Sequence, residues 1–239
     1  MKMRPLPEID LARIAPLSRD EKRRALQQVR LGRPPYSYAP VRASISDVLN
    51  VQSDLIGPMP ATPWEKIQQT IQKRSRTDAE EQANLRVAEG LFNFVQAREI
   101  IGRRLDIFPL QLGIGTKVVF WQPVVLTLNE RAVIPFLDPR RAKGLTANGR
   151  RFVFSVMHER IRAADPDFAD VALAVVQFAR SEEGPRTPVV FTDERIELFT
   201  FDELDQMVRE TYELWTEILE ERTADTRRRG AAGGGGLFS

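Results

Sequence analysis

Residues 117–137, Lys-Val-Val-Phe-Trp-Gln-Pro-Val-Val-Leu-Thr-Leu-Asn-Glu-Arg-Ala-Val-Ile-Pro-Phe-Leu, decide the class of fold. β-Branched and aromatic side chains crowd this stretch, and Asn129-Glu130 breaks it with turn chemistry. With the preceding segment it predicts three strand-forming runs: Leu105 to Leu112, Lys117 to Leu128 and Ala132 to Leu137. Pro123 has no backbone donor, so it marks a bulge or an edge position in the second run.

The period changes on either side of this block. Downstream, Gly149 to Ala163 reads as a helix that begins after the Gly144–Gly149 loop. Val171 to Phe178 is almost continuously apolar, as expected of a strand buried on both faces. Val189 to Phe191 gives a short strand. Phe201 to Glu221 closes the pattern as an amphipathic helix carrying Leu204, Val208, Leu214, Trp215 and Ile218. Upstream, helices alternate with proline breaks. Ser18-Arg19-Asp20-Glu21 and Thr77-Asp78-Ala79-Glu80 are capping boxes. The first opens a helix over Ala25, Leu26 and Val29, and the second a long one through Leu91, Val95 and Ile100. A shorter helix fits Val41 to Val51, and Thr62-Pro63-Trp64-Glu65 starts another. The expected fold is α+β, with N-terminal helices followed by one mixed sheet flanked by helices. The expected division is a helical region at 1–76 with an exposed loop at 52–60, an α/β core at 77–222, and a disordered Arg/Gly-rich tail at 223–239.

Composition removes several chemistries. The 239 residues include no cysteine and one histidine, His158, so disulfides, Cys-based metal sites and multi-histidine centres are excluded. The expectation is therefore no metal and no cofactor. Residues 1–10 lack the apolar core of a secretory signal, and no run of about 20 apolar residues would span a bilayer. The chain suits a reducing cytoplasm. Net charge is +2, yet residues 1–120 carry 19 basic and 13 acidic side chains, and residues 121–239 carry 16 and 20. The front half is thus +6 and the back half −4.

Two places carry candidate chemistry. The first is Gln52-Ser53-Asp54-Leu55-Ile56, running into Gly57-Pro58-Met59-Pro60, which the prolines keep out of a helix. A glutamine with leucine at +3 and a bulky apolar residue at +4 is the pattern that docks on bacterial sliding clamps. The amide can both donate and accept in a polar pocket while the two apolar side chains fill an adjacent one. Of the twelve glutamines, only Gln52 has this spacing. The alternative is a helix end whose Leu55 and Ile56 pack inward.

The second place is Asp138-Pro139-Arg140-Arg141 with Lys143, Arg150 and Arg151, a candidate basic surface for nucleic acid. The αβββαβ order is remotely similar to the PD-(D/E)xK nuclease core, in which strand-end acids hold magnesium. Asp138 is followed two residues on by Arg140 instead of lysine, and a guanidinium is no tunable acid or base. Glu89 and Glu99 are the acids that would join Asp138. The plainer alternative is an Arg-rich loop paired with neighbouring carboxylates. His158 reads as a satisfied structural histidine, and Gly113-Ile114-Gly115 lacks P-loop spacing. Trp64, Trp121 and Trp215 read as core or interface aromatics, and Leu237-Phe238 as an inert end or a docking or protease handle.

Several stretches resemble one bacterial toxin family. They are Gly32-Arg33-Pro34-Pro35-Tyr36-Ser37-Tyr38-Ala39-Pro40, Asp138-Pro139-Arg140-Arg141, the run from Gly149 through Phe152 and His158 to Arg160, and Ala164-Asp165-Pro166-Asp167. The chain is similar over about residues 5–220 to SocB, the replication-inhibitor toxins of type VI toxin–antitoxin systems. The resemblance implies a non-enzymatic toxin that binds the β sliding clamp (DnaN) and blocks replication elongation. It also implies a SocA-like adaptor antitoxin that hands the toxin to the ClpXP protease. Clamp-binding residues carry over onto Gln52, Asp54, Leu55 and Ile56. Ser53 stands where leucine is usual and Ile56 where phenylalanine is usual, which lowers the apolar contact expected of the peptide alone.

Overall fold

The structure, a computed structural model, describes residues 5–29, 37–52, 59–113, 115–179 and 183–232, with side chains described as far as 225. In chain order the helices are α1 (Glu8–Ile14), α2 (Arg19–Gln27), α3 (Ala39–Ala43), α4 (Ile45–Val48), α5 (Trp64–Arg74), α6 (Asp78–Ala97), α7 (Ala147–Met157) and α8 (Phe201–Ala232). The strands are β1 (Val51–Gln52), β2 (Ile101–Arg104), β3 (Leu110–Leu112), β4 (Thr116–Val118), β5 (Val124–Leu128), β6 (Arg131–Asp138), β7 (Ala172–Phe178) and β8 (Pro188–Thr192). A π-helical turn, His158–Arg162, extends α7.

Six strands form one mixed sheet in the order β1-β2-β5-β6-β7-β8, and β3 and β4 form a separate hairpin. Strands β2, β5 and β6 make an antiparallel meander, and β7 returns parallel to β6 after α7. The expected α+β class with one mixed sheet flanked by helices is therefore present, although β3 and β4 intervene in the chain between β2 and β5. Kinship with the nucleases does not follow from that layout, because one topology hosts unrelated functions.

Alternation along the strands sends side chains to two cores. Ile134 and Phe136 of β6, with Leu173 and Val175 of β7, pack with α1, α2, α7 and α8. Leu137, Val176 and Phe178 point the other way, into a cluster with α3, α4, α5 and α6. The helices before residue 76 are thus shared between both faces of one sheet. Strand β7 is apolar on both faces, as the uninterrupted run at 171–178 requires.

Several boundaries differ from the sequence expectation for physical reasons. α6 stops at Ala97 instead of reaching Ile100. Glu99 adopts φ 51°, Ile100 N–H bonds Val95 O at 3.0 Å, and Glu99 N–H bonds Gln96 O at 3.2 Å. That is a Schellman stop with glutamate in glycine's usual place, so the usual glycine signal is missing. The freed residues 101–104 become β2, and the expected 105–112 run keeps only Leu110–Leu112 as strand. The run from 117 to 128 divides between the hairpin and the sheet, with Pro123 just before β5, where its carbonyl accepts Leu105 N–H at 2.9 Å. The expected helix at 41–51 is α3, α4 and then β1. Pro63 rather than Thr62 caps α5, and α7 starts at Ala147 with Thr146 as its cap. α1, unforeseen, buries Ile9, Leu11, Ala12 and Ile14 in its two turns. α8 continues past Glu221 to Ala232, across the expected tail boundary at 223. Residues 223–232 contain no proline, and the helix runs through Gly230 to Ala232. Leu237-Phe238 lies outside the described residues.

Candidate functional site

The segment that carries the glutamine pattern is anchored by a chain of amides. Asn50 ends α4 at φ 51°, a left-handed conformation that asparagine tolerates better than most residues. Its backbone N–H bonds Asp47 O at 3.2 Å and its carbonyl accepts Gly102 N–H at 3.1 Å, which turns the chain into β1. Asn50 Nδ2 donates to Ile100 O at 3.3 Å, and its Oδ1 accepts Gln52 Nε2 at 2.7 Å. Gln52 Oε1 in turn accepts the Met59 backbone N–H at 2.7 Å. Gln52 therefore joins the two ends of the 53–58 segment. Thr62 Oγ1 adds a second tie, donating to Asp47 Oδ1 at 2.9 Å. Ser53, Asp54, Leu55 and Ile56 lie outside the described residues.

Gln52 is half-buried on the edge strand and pairs in register with Arg103 of β2. Around it the surface is both apolar and basic. Met59 is 50% exposed and Ile101 49%, and Arg103 and Arg104 are exposed. Opposite residues on parallel neighbours share a face, so Gln52 and Arg103 stand on the same side of the sheet.

The second candidate behaves differently. Asp138, fully buried, accepts Leu145 N–H at 2.7 Å and Gln177 Nε2 at 2.9 Å on Oδ2, and Arg140 N–H at 3.3 Å on Oδ1. Both oxygens hold the 139–145 loop. The Arg186 guanidinium clamps the same turn, donating to Pro139 O at 2.6 Å. Among the described residues no three His, Asp or Glu side chains gather where they would hold a metal ion. Glu89 sits on α6, and Glu99 just past its end with an exposed side chain.

The five basic residues have different surroundings. Arg140 makes a bidentate pair with Asp10, at 2.5 and 3.0 Å. Arg150 lies 3.9 Å over the Phe191 ring and donates to Gln177 Oε1 at 2.9 Å, and burial lowers its pKa. Arg151 lies 3.8 Å over Phe199. Only Arg141 and Lys143 of the five are exposed. Of the three drawn into the fold, Arg140 and, at 4.0 Å, Arg151 face the carboxylates of Asp10 and Glu197, whereas Arg150 is held by an amide and an aromatic ring. His158 opens the π-helical turn, and its Nδ1 is buried with no hydrogen-bond partner among the described residues. Trp121 and Trp215 are buried, and Trp64 stacks at 5.5 Å on Phe92. Gly113 and Gly115 bend the β3–β4 hairpin at φ 61° and 79°, which is turn geometry and no phosphate cradle.

The model of the family described as "Sliding clamp-binding bacterial toxin SocB" matches residues 9–225. The chain belongs to the SocB family. It is 38% identical over 233 residues, 98% of each chain, to the "DNA replication inhibitor toxin SocB" of Caulobacter vibrioides (strain NA1000 / CB15N). No solved structure matches it. No helix among its described residues is long and apolar enough to cross a membrane. The spacing that singles out Gln52 says nothing of Asn50, whose amide meets it only in the fold. The one available signal was an asparagine between a helix end and an apolar-polar pair, a position where left-handed backbone is common.

Proposed function

We propose that this protein inhibits DNA replication by occupying the ligand cleft of the β sliding clamp, with Gln52, Leu55 and Ile56 as anchors and Asp54 beside them. A clamp cleft filled by the toxin is closed to the polymerase and to other ligands, so elongation stops by occupancy and no bond is made or broken. The family description names the clamp as target. The observation that carries the assignment to this segment is the placement of Gln52, half-exposed on an edge strand with its amide bonded to Asn50 and to the Met59 N–H. Extended peptides beside a sheet edge are a common recognition mode. A micromolar dissociation constant, about −8 kcal/mol, is within reach of such a motif. Inhibition then scales with toxin concentration, which suits control by an adaptor-type antitoxin that delivers the chain to ClpXP.

Purified clamp and a fluorescent clamp-binding peptide test the reading. The full chain should displace the peptide, and Gln52→Ala should weaken displacement by about ten- to a hundredfold, the loss of one or two hydrogen bonds in a closed pocket. Leu55→Ala and Ile56→Ala should weaken it similarly. Unchanged binding by Gln52→Ala would overturn the assignment. In a reconstituted ClpXP reaction, degradation should depend on the adaptor.

A further inference from the structure

An amide offers four hydrogen-bonding positions, two N–H donors and two carbonyl lone pairs. Among the described residues Gln52 uses one of each, Nε2 toward Asn50 Oδ1 at 2.7 Å and Oε1 toward the Met59 N–H at 2.7 Å. One N–H and one lone pair are left over, and Gln52 is only half-buried. The amide can therefore enter a polar pocket without giving up its internal bonds. Its orientation is already set from behind. Asn50 Nδ2 donates to Ile100 O, so the Asn50 amide cannot turn over, and Oδ1 must face Gln52.

From this geometry we infer that Asn50 is a positioning residue for clamp docking, holding the Gln52 amide in the rotamer that the clamp receives. The inference rests on the proposed role of Gln52 and names the residue that acts through it. A free glutamine side chain on a loop loses its rotamer freedom at the moment of binding, and that loss opposes association. Here the freedom is lost on folding. Asn50 makes this contact from a left-handed backbone with φ 51°. The contact is specific in chemistry: residue 50 must present an acceptor. The residue needs no contact with the clamp.

The backbone conformation dictates the choice of variants. Asn50→Gly keeps the left-handed φ without strain and removes the acceptor. Asn50→Asp keeps an acceptor toward Gln52 Nε2 but replaces the donor to Ile100 O with a carboxylate oxygen, which must turn away from that carbonyl. Affinity for purified clamp is measured by calorimetry with the full chain, and thermal unfolding of each variant confirms that it is folded. Immobilising one rotamer-rich side chain costs an amount equivalent to roughly three- to tenfold in affinity. Asn50→Gly should weaken binding by that factor, and Asn50→Asp should restore most of it at high salt, where its added charge is screened. In a Gln52→Ala background, Asn50→Gly should cause no further loss, because a residue that works through Gln52 has nothing left to position. Three results would overturn the inference: wild-type affinity in Asn50→Gly, equal losses in Gly and Asp variants, or additive losses with Gln52→Ala. Wild-type affinity in Gln52→Ala alone is a separate outcome, which removes the docking assignment and the positioning role together.

Discussion

Glu80 illustrates how single residues hold this fold. Its carboxylate is almost fully buried at the start of α6. Arg76 donates through Nε, Nη2 and its backbone N–H at 3.0, 2.7 and 2.8 Å, and Ser37 through its backbone N–H at 2.8 Å and Oγ at 3.1 Å. Thr77 Oγ1 caps the helix by accepting Glu80 N–H at 3.2 Å, but the glutamate side chain does not complete the capping box. It is used to tie down residues 37 and 76 instead. The Arg76 guanidinium, then the backbone N–H groups of Arg76 and Ser37, hold the Glu80 carboxyl far below the usual carboxylate range. A depressed folded pKa contributes stability that is present above the ordinary value and lost as pH falls toward the folded one. Wild-type protein should therefore lose thermal stability below about pH 4.5. Glu80→Gln should lower Tm at pH 7 and flatten the Tm profile between about pH 5 and pH 3, where glutamine cannot titrate. Gly90, on the same helix, meets a steric limit: a Cβ there would collide with the Arg186 carbonyl oxygen, part of backbone whose N–H bonds to Arg86 O at 2.9 Å. Gly90→Ala should destabilise the protein by at least about 3 kcal/mol in denaturant unfolding, since backbone and not a flexible side chain must yield.

At the scale of elements, the terminations were hardest to read. Left-handed backbone is normally announced by glycine, yet here it falls on Glu99 after α6 and on Asn129 and Glu130 in the β5–β6 hairpin, at φ 51°, 51° and 62°. The hairpin was still legible, because asparagine favours that conformation and apolar runs flank it. The α6 stop was not, since glutamate is a good helix former. Both positions are exposed, so replacing them isolates the backbone cost. Glu99→Gly and Glu130→Gly should each raise stability by roughly 0.5–1 kcal/mol, measured as a higher denaturation midpoint at unchanged slope. Contacts between elements can also substitute for local signals. Arg222 of α8 donates to Gln27 O at 2.7 Å and Val29 O at 3.0 Å, covering the carbonyls that α2 leaves open at its C-terminus. Arg222→Ala should cost about 1–2 kcal/mol, and Arg222→Lys should restore little of it, because an ammonium cannot fork to several carbonyls at once.

For the whole molecule, the apolar periodicity of residues 117–178 was sufficient for an α+β sheet with a doubly buried β7, and the absence of cysteine was sufficient to exclude thiol chemistry. Both depend only on side-chain type and spacing. The spacing of Gln52, Leu55 and Ile56 likewise exists in the chain before it folds. Which helices cover which face was not written locally. α1 and α2 join α7 and α8, while the helices from α3 to α6 cover the opposite side, because burial rewards any apolar stripe that fits. Nor could the sequence say which arginines remain available. Arg140, Arg150 and Arg151 are drawn inward by Asp10, Phe191 and Phe199, residues distant in the chain that folding brings beside them. The same holds for the amide relay from Ile100 through Asn50 and Gln52 to Met59. Hydrogen bonds need distance and direction as well as partners, and only the packed chain supplies those.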